Sequence, residues 1–202
     1  EGQSRFWENV VGRSRAFARL VKPILDSELG LTKDLTDEDL YRYFATVRPS
    51  LIRTEADEVT YNLHIQLRYE LEVLMIGGEV KVDDVPELWN RRMEELLGVR
   101  PKNDAEGVLQ DVHWSHGSIG YFPTYTLGNI VAAMMRRAFE SRAGRLEDYV
   151  ARGDFQAIKS FLRDLVHKYG SIYAPKDLLR RSLGSEYDPE ALVGYLREKY
   201  LS

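Results

Sequence analysis

Apolar side chains recur at steps of three and four residues through almost the whole chain, which restricts it to a packing of amphipathic helices. From Ser4 to about Leu25, the residues Phe6, Trp7, Val10, Val11, Phe17, Leu20 and Val21 share one helical face, with Pro23 and Gly30 bracketing the end. Thr36 and Asp39 stand in capping-box spacing ahead of Leu40, Tyr43, Phe44 and Val47, a short helix that Pro49 stops. The strongest pattern runs from Thr54 to Ile76 on Val59, Leu63, Leu67, Leu71 and Leu74. Glu55, Asp57 and Glu58 place acidic charge in its first turn, and Gly77 and Gly78 end it.

The stretch EVKVDDVP alternates weakly and could form a short strand. Asp84 and Pro86 then take the cap and first-turn positions of a helix that closes at Gly98. Periodicity returns from about Tyr125 to Arg142, and again over Leu146 to Arg152, Asp154 to Tyr169, Pro175 to Leu183 and Pro189 to Leu201. The expected fold is all-α with at most one short β element. No repeat and no Gly-Ser or proline-rich linker divides the sequence, so residues 1–202 are read as one helical region.

Composition narrows the function. Acids and bases nearly cancel to a formal net charge of −4, which argues against a nucleic-acid partner. No segment approaches the run of about 18 apolar residues that a spanning helix needs, so the expectation is a protein without a membrane partner. Cysteine is absent, which excludes disulfides, thiolate metal sites and a cysteine nucleophile and fits a cytoplasmic location. The chain opens on Glu1 with no leader or methionine, and reads as though cut from something longer.

Between Arg100 and Pro123 the periodicity fails and glycine, proline, histidine and aromatic residues crowd together. Irregular backbone on a rigid helical frame is where chemistry usually sits. His113 and His116 lie here beside Gln110, Asp111 and Trp114, at a spacing that could bind metal in a helical turn, although two histidines alone are thin support. His64 and His167 fall inside helical patterns and read as ordinary packed or surface histidines. Tyr121 and Tyr125 follow in GYFPTYTLGN, where a phenol could donate to an oxyanion or could be purely structural. Arg53 has the planar fork that suits a carboxylate, and equally a helix-start partner in Glu55 or Asp57. Glu1 and Glu8 could ligate a metal or merely favour a helix dipole. There is no H-E-x-x-H, no phosphate-binding glycine loop and no serine elbow.

Three strings, in order along the chain, resemble the carboxypeptidase Taq family of zinc metallocarboxypeptidases. EGQ at Glu1 to Gln3 is similar to its H-E-[SG]-Q without the histidine, IRTEAD at Ile52 to Asp57 to its I-R-x-x-A-D, and GVLQDVHW at Gly107 to Trp114 to its G-x-x-Q-D-x-H-W. The resemblance implies the C-terminal portion of a helical, gluzincin-like peptidase that removes single amino acids from peptide C-termini. It implies Glu1 as a ligand of zinc, or of another divalent cation such as cobalt, with the remaining ligands and general base on an N-terminal half. It also implies Arg53, Gln110 and Asp111 as substrate-binding groups and His113, His116, Tyr121 and Tyr125 around the oxyanion. The partners implied are a peptide with a free C-terminal carboxylate, the N-terminal half and a second copy in a homodimer. Alone, the chain is expected to hold no metal and to be inactive; the rival expectation is a non-catalytic helical scaffold.

Overall fold

The structure, a computed structural model, describes residues 1–30 and 33–201. The regular elements among them are helical, and the α-helices are α1 (Gly2–Arg5), α2 (Arg15–Glu28), α3 (Asp37–Phe44), α4 (Tyr61–Ile76), α5 (Val85–Leu97), α6 (Pro123–Ala143), α7 (Leu146–Ala151), α8 (Phe155–Leu165), α9 (Pro175–Leu183) and α10 (Pro189–Leu201). Two compact units result, Glu1–Ala45 with Leu127–Ser202, and Thr46–Thr126.

In the first unit, the pattern expected to give one helix from Ser4 to Leu25 is broken. After α1 the chain takes a π-helical turn over Phe6–Val11, in which the Gly12 N–H donates to the Trp7 carbonyl at 2.8 Å. The Ser14 hydroxyl then accepts from the Phe17 N–H at 3.1 Å and starts α2 afresh, because a serine oxygen competes for the backbone donors that a continuous helix would use. Pro23 sits inside α2 rather than ending it. The carbonyl it leaves unpaired is that of exposed Arg19, which solvent can satisfy. The expected capping box of Thr36 and Asp39 opens α3. The core gathers Phe6, Val10, Met135, Phe139, Ile158, Leu162 and Tyr195, with Phe139 edge-on to Tyr149 and Phe161 at 5.0 Å each. Burying each such side chain contributes roughly 1.5–3 kcal/mol.

In the second unit, α4 packs on α5 through Leu67, Leu71, Val85, Trp89, Met93 and Leu97. Helix α4 begins at Tyr61, seven residues later than the periodicity suggests. The reason is Asp57, whose carboxylate accepts from the backbone N–H groups of Arg48 at 3.0 Å and of Val59 and Thr60 at 2.9 Å, and from the Thr60 hydroxyl at 2.7 Å. Those bonds hold residues 56–60 in a turn ahead of the helix, and a 3-10 turn over Arg53–Glu55 precedes them. The EVKVDDVP segment also forms a 3-10 turn, Val82–Asp84, rather than a strand. It leads straight into α5 with Pro86 in the first turn, where its fixed φ suits a helix start.

Candidate functional site

The irregular segment from Arg100 to Phe122 lies in the second unit and is tied to α4 and to residues 51–53 by one buried polar network. Gln110 spends its whole amide. Its nitrogen donates to the carbonyls of Leu51 at 3.0 Å and Glu106 at 2.8 Å, while its oxygen accepts from the Arg53 backbone N–H at 2.9 Å and from Arg68 Nη2 at 2.7 Å. Asp111 bridges the two arginines. Its Oδ1 accepts from Arg53 Nε at 3.0 Å and Nη2 at 2.6 Å, and its Oδ2 from Arg68 Nε at 2.6 Å. Arg53 also donates through Nη1 to the Tyr61 hydroxyl at 2.7 Å, and Arg68 through Nη1 to the His64 carbonyl at 2.8 Å. The guanidinium of Arg68 lies over Trp89 at 4.5 Å, and that of Arg53 over Tyr125 at 4.9 Å.

Burial works against the Asp111 charge, but the hydrogen bond from Arg53 and the charges of Arg68 and Arg53 outweigh it and hold the carboxyl below its usual range. Burial draws Arg68 down to about 10, still cationic at neutral pH. Within this hydrogen-bonded set two guanidinium groups face one carboxylate, so it carries a surplus positive charge.

His113 stands at the edge of the network. Its Nε2 lies 2.8 Å from the Tyr125 hydroxyl, its ring stacks on Phe122 with centroids 4.3 Å apart, and Tyr121 lies 5.7 Å away. Burial, joined by Arg53 and Arg68 and opposed by Asp111, keeps His113 below its ordinary value, so the ring is neutral near pH 7. The loop carrying it is fastened by Glu72, which accepts from Trp114 Nε1 at 3.1 Å and from the Gly120 backbone N–H. Gly120 has φ +76, a left-handed conformation that a side chain would resist just where its N–H must reach the carboxylate. His116 is exposed on the same loop.

The structure thus brings together Arg53, Gln110, Asp111, His113, Tyr121 and Tyr125. Arg53 is only 6% exposed and is committed to Asp111 and Tyr61, not to the helix-start acids Glu55 or Asp57. Sequence reasoning missed Arg68 and Glu72, and set His64 aside. These three recur at four-residue steps along α4, at 0%, 0% and 6% exposure. A polar stripe of that period alongside Leu63, Leu67 and Leu71 is the signal that marks them.

Glu1 belongs to the first unit. Its carbonyl and, more distantly, its carboxylate accept from the Ser4 hydroxyl at 2.8 and 3.4 Å. Among the described residues no three His, Asp or Glu side chains gather as metal ligands, so the residues present do not by themselves fit a metal.

The family model described as "Carboxypeptidase Taq (M32) metallopeptidase" matches residues 1–200. The chain is similar to thermostable carboxypeptidase 1 of Pyrococcus furiosus, 51% identical over 201 residues, and to carboxypeptidase 1 of Bacillus subtilis, 40% identical over 201 residues. These alignments take in 100% and 99% of the chain but 40% of each relative, so the chain spans about two fifths of their length. A solved structure of the Pyrococcus furiosus carboxypeptidase superposes with a TM-score of 0.96 over 98% of the chain and 40% of its own, at 50% identity. Metallocarboxypeptidase 1 of Trypanosoma cruzi gives 0.95 over 100% of the chain and 42% of its own, at 38% identity.

Proposed function

Since the chain belongs to the carboxypeptidase Taq (M32) metallopeptidase family, we propose that it is the C-terminal portion of a metallocarboxypeptidase and supplies the surface that binds a peptide by its C-terminal end. The observation that carries this reading is the Arg53–Asp111–Arg68 set. A buried cluster with more cation than anion attracts a further carboxylate, and a free C-terminal carboxylate is what separates an exopeptidase substrate from the interior of a chain. The N–H groups of Arg53 not spent on Asp111 and Tyr61 are its donors for that carboxylate. Gln110 and Asp111 hold Arg53 in place, while His113, His116, Tyr121 and Tyr125 are assigned to the surroundings of the oxyanion. Glu1 is assigned as one metal ligand, the metal being zinc or a similar cation such as cobalt. The other ligands come from outside this chain.

We assign the complete enzyme to the cytoplasm and to a homodimer. The absence of cysteine supports the first. The second is supported by Tyr69, Val73 and Ile76, at least half exposed along α4. No helix among the described residues is long and apolar enough to cross a membrane.

One observation favours the rival scaffold reading, namely that Arg53 is nearly buried and already paired. An assay of an active enzyme containing this segment separates the two. Arg53→Met should cut cleavage of a peptide with a free C-terminus by a hundredfold or so, the loss expected when a charged hydrogen bond to substrate goes. An amidated peptide should be a poor substrate with or without the substitution. Equal turnover of free and amidated peptides would sink the exopeptidase reading.

A further inference from the structure

We propose that Asp111 holds His113 as the Nδ1–H tautomer, so that Tyr125 donates its phenolic proton to His113 Nε2 and Tyr121 is left as the tyrosine that donates to substrate. The last clause rests on the peptidase reading; the tautomer does not.

Two neutral forms of His113 are compatible with the 2.8 Å contact to Tyr125. In one the ring donates through Nε2, and in the other Nε2 accepts. The opposite nitrogen decides between them. Nδ1 is buried with no hydrogen-bond partner and faces Asp111 Oδ1 at 3.9 Å. A bare lone pair there would point at a carboxylate oxygen, whereas an N–H points a positive end at it. Neither arginine supplies a donor to Nδ1, because their bonds run to Asp111, Tyr61, Gln110 and the His64 carbonyl. Packing on Phe122, with 35° between the planes, holds the ring against the flip that would put carbons where Nδ1 and Nε2 now face Asp111 and Tyr125.

The tyrosines then divide the work. The Tyr125 proton is spent on His113, and an arriving oxygen meets only the lone pairs of that phenol. Tyr121 is 43% exposed, its ring is 5.4 Å from that of Tyr125, and its hydroxyl makes no hydrogen bond among the described residues. It therefore keeps a proton to give. Tyr125 is a positioning residue that acts through His113.

Long-range proton–nitrogen NMR of the ¹⁵N-labelled full chain reads the tautomer directly, with His113 assigned by the loss of its signals in His113→Gln. The expected result is a pyrrole-type Nδ1 and a pyridine-type Nε2, with the Nδ1–H form in roughly tenfold excess, the preference that one pKa unit of differential interaction gives. A protonated Nε2, or equal populations, overturns the proposal and leaves the peptidase reading standing. In an active enzyme containing the segment, Tyr121→Phe should lower kcat about tenfold or more at unchanged pH profile, and Tyr125→Phe should displace the profile instead. If Tyr125→Phe lowers kcat as much as Tyr121→Phe with no displacement, the division of labour is wrong. If neither variant affects turnover while the tautomer is as expected, the peptidase role fails and the tautomer assignment survives.

Discussion

The indole N–H of Trp114 donates to Glu72 at 3.1 Å across 42 residues of sequence, and the second oxygen of the same carboxylate takes the Gly120 backbone N–H. One buried acid thereby closes both sides of the turn that carries His113 and His116. Glu72→Ala leaves two donors without an acceptor, at about 1–3 kcal/mol each where they stay buried. We expect a loss of about 2–4 kcal/mol by denaturant titration, together with faster proteolytic cutting between residues 112 and 120. Unchanged cutting of the variant would mean that the turn is held by packing alone.

Asp111 is the hinge of the network, since each of its oxygens answers a different arginine. Asp111→Asn keeps the shape and removes the charge, leaving two buried guanidinium groups with no anion between them. Breaking a buried pair in this way costs about 3–5 kcal/mol. The loss should be largest at neutral pH. Because the folded carboxyl is held below its usual value, its stabilisation is present above the unfolded pKa of 3.8 and fades as pH falls through the lower folded value. A wild-type and Asn variant of equal stability at pH 7 would contradict this.

Much of the fold follows from apolar periodicity, but the breaks in it depend on individual polar side chains. Helix α3 and its capping box are readable because both partners are local in sequence. The late start of α4 is not, because Asp57 reaches back to the backbone of Arg48, and residues 56–60 fit the apolar repeat well enough to extend it. The same division holds for the site. Gln110, Asp111, His113 and the tyrosines stand out as chemistry-bearing residues in an irregular stretch. Arg68 is marked in the sequence only by the polar stripe it shares with His64 and Glu72, and its packing on Trp89 and bond to Asp111 come from residues far along the chain. Arg53 showed the converse: its sequence neighbours offered Glu55 and Asp57, but its acid partner lies 58 residues away.

Gly128 on α6 sets how closely the head of α1 can lie. A Cβ built there would sit 2.7 Å from the Glu1 Cβ and 3.2 Å from the Gly2 nitrogen, both too rigid to yield cheaply. At Gly2 the equivalent contacts fall on one side chain, 2.9 Å to Val131 Cγ1 and 3.1 Å to its Cβ. Gly128→Ala should therefore displace the first turn further than Gly2→Ala does. The global cost should be about 1 kcal/mol, at the low end of overpacking. Hydrogen exchange at the Arg5 amide, which donates to the Glu1 carbonyl at 3.0 Å, should accelerate more in Gly128→Ala than in Gly2→Ala. Equal protection in the two variants would remove the steric argument.

His64 gives the clearest acid response. The ring is fully buried, neither nitrogen has a partner among the described residues, and burial, with Arg68 and Arg53 adding to it, lowers its pKa to about 4. A histidine depressed in the folded state resists protonation that the unfolded chain accepts at its ordinary value of 6.5. Between those two values the unfolded state binds more protons, so stability falls as pH is lowered from 6.5 to 4, by roughly 3 kcal/mol in all. His64→Leu removes the titrating group, the unpartnered nitrogens and little volume. The variant should equal or exceed the wild type at pH 7 and surpass it clearly at pH 5, with a flatter stability profile between. The check is chemical denaturation of both proteins at half-unit steps across that range. Two parallel profiles would show that His64 does not govern the slope, and would place it on the carboxylates instead.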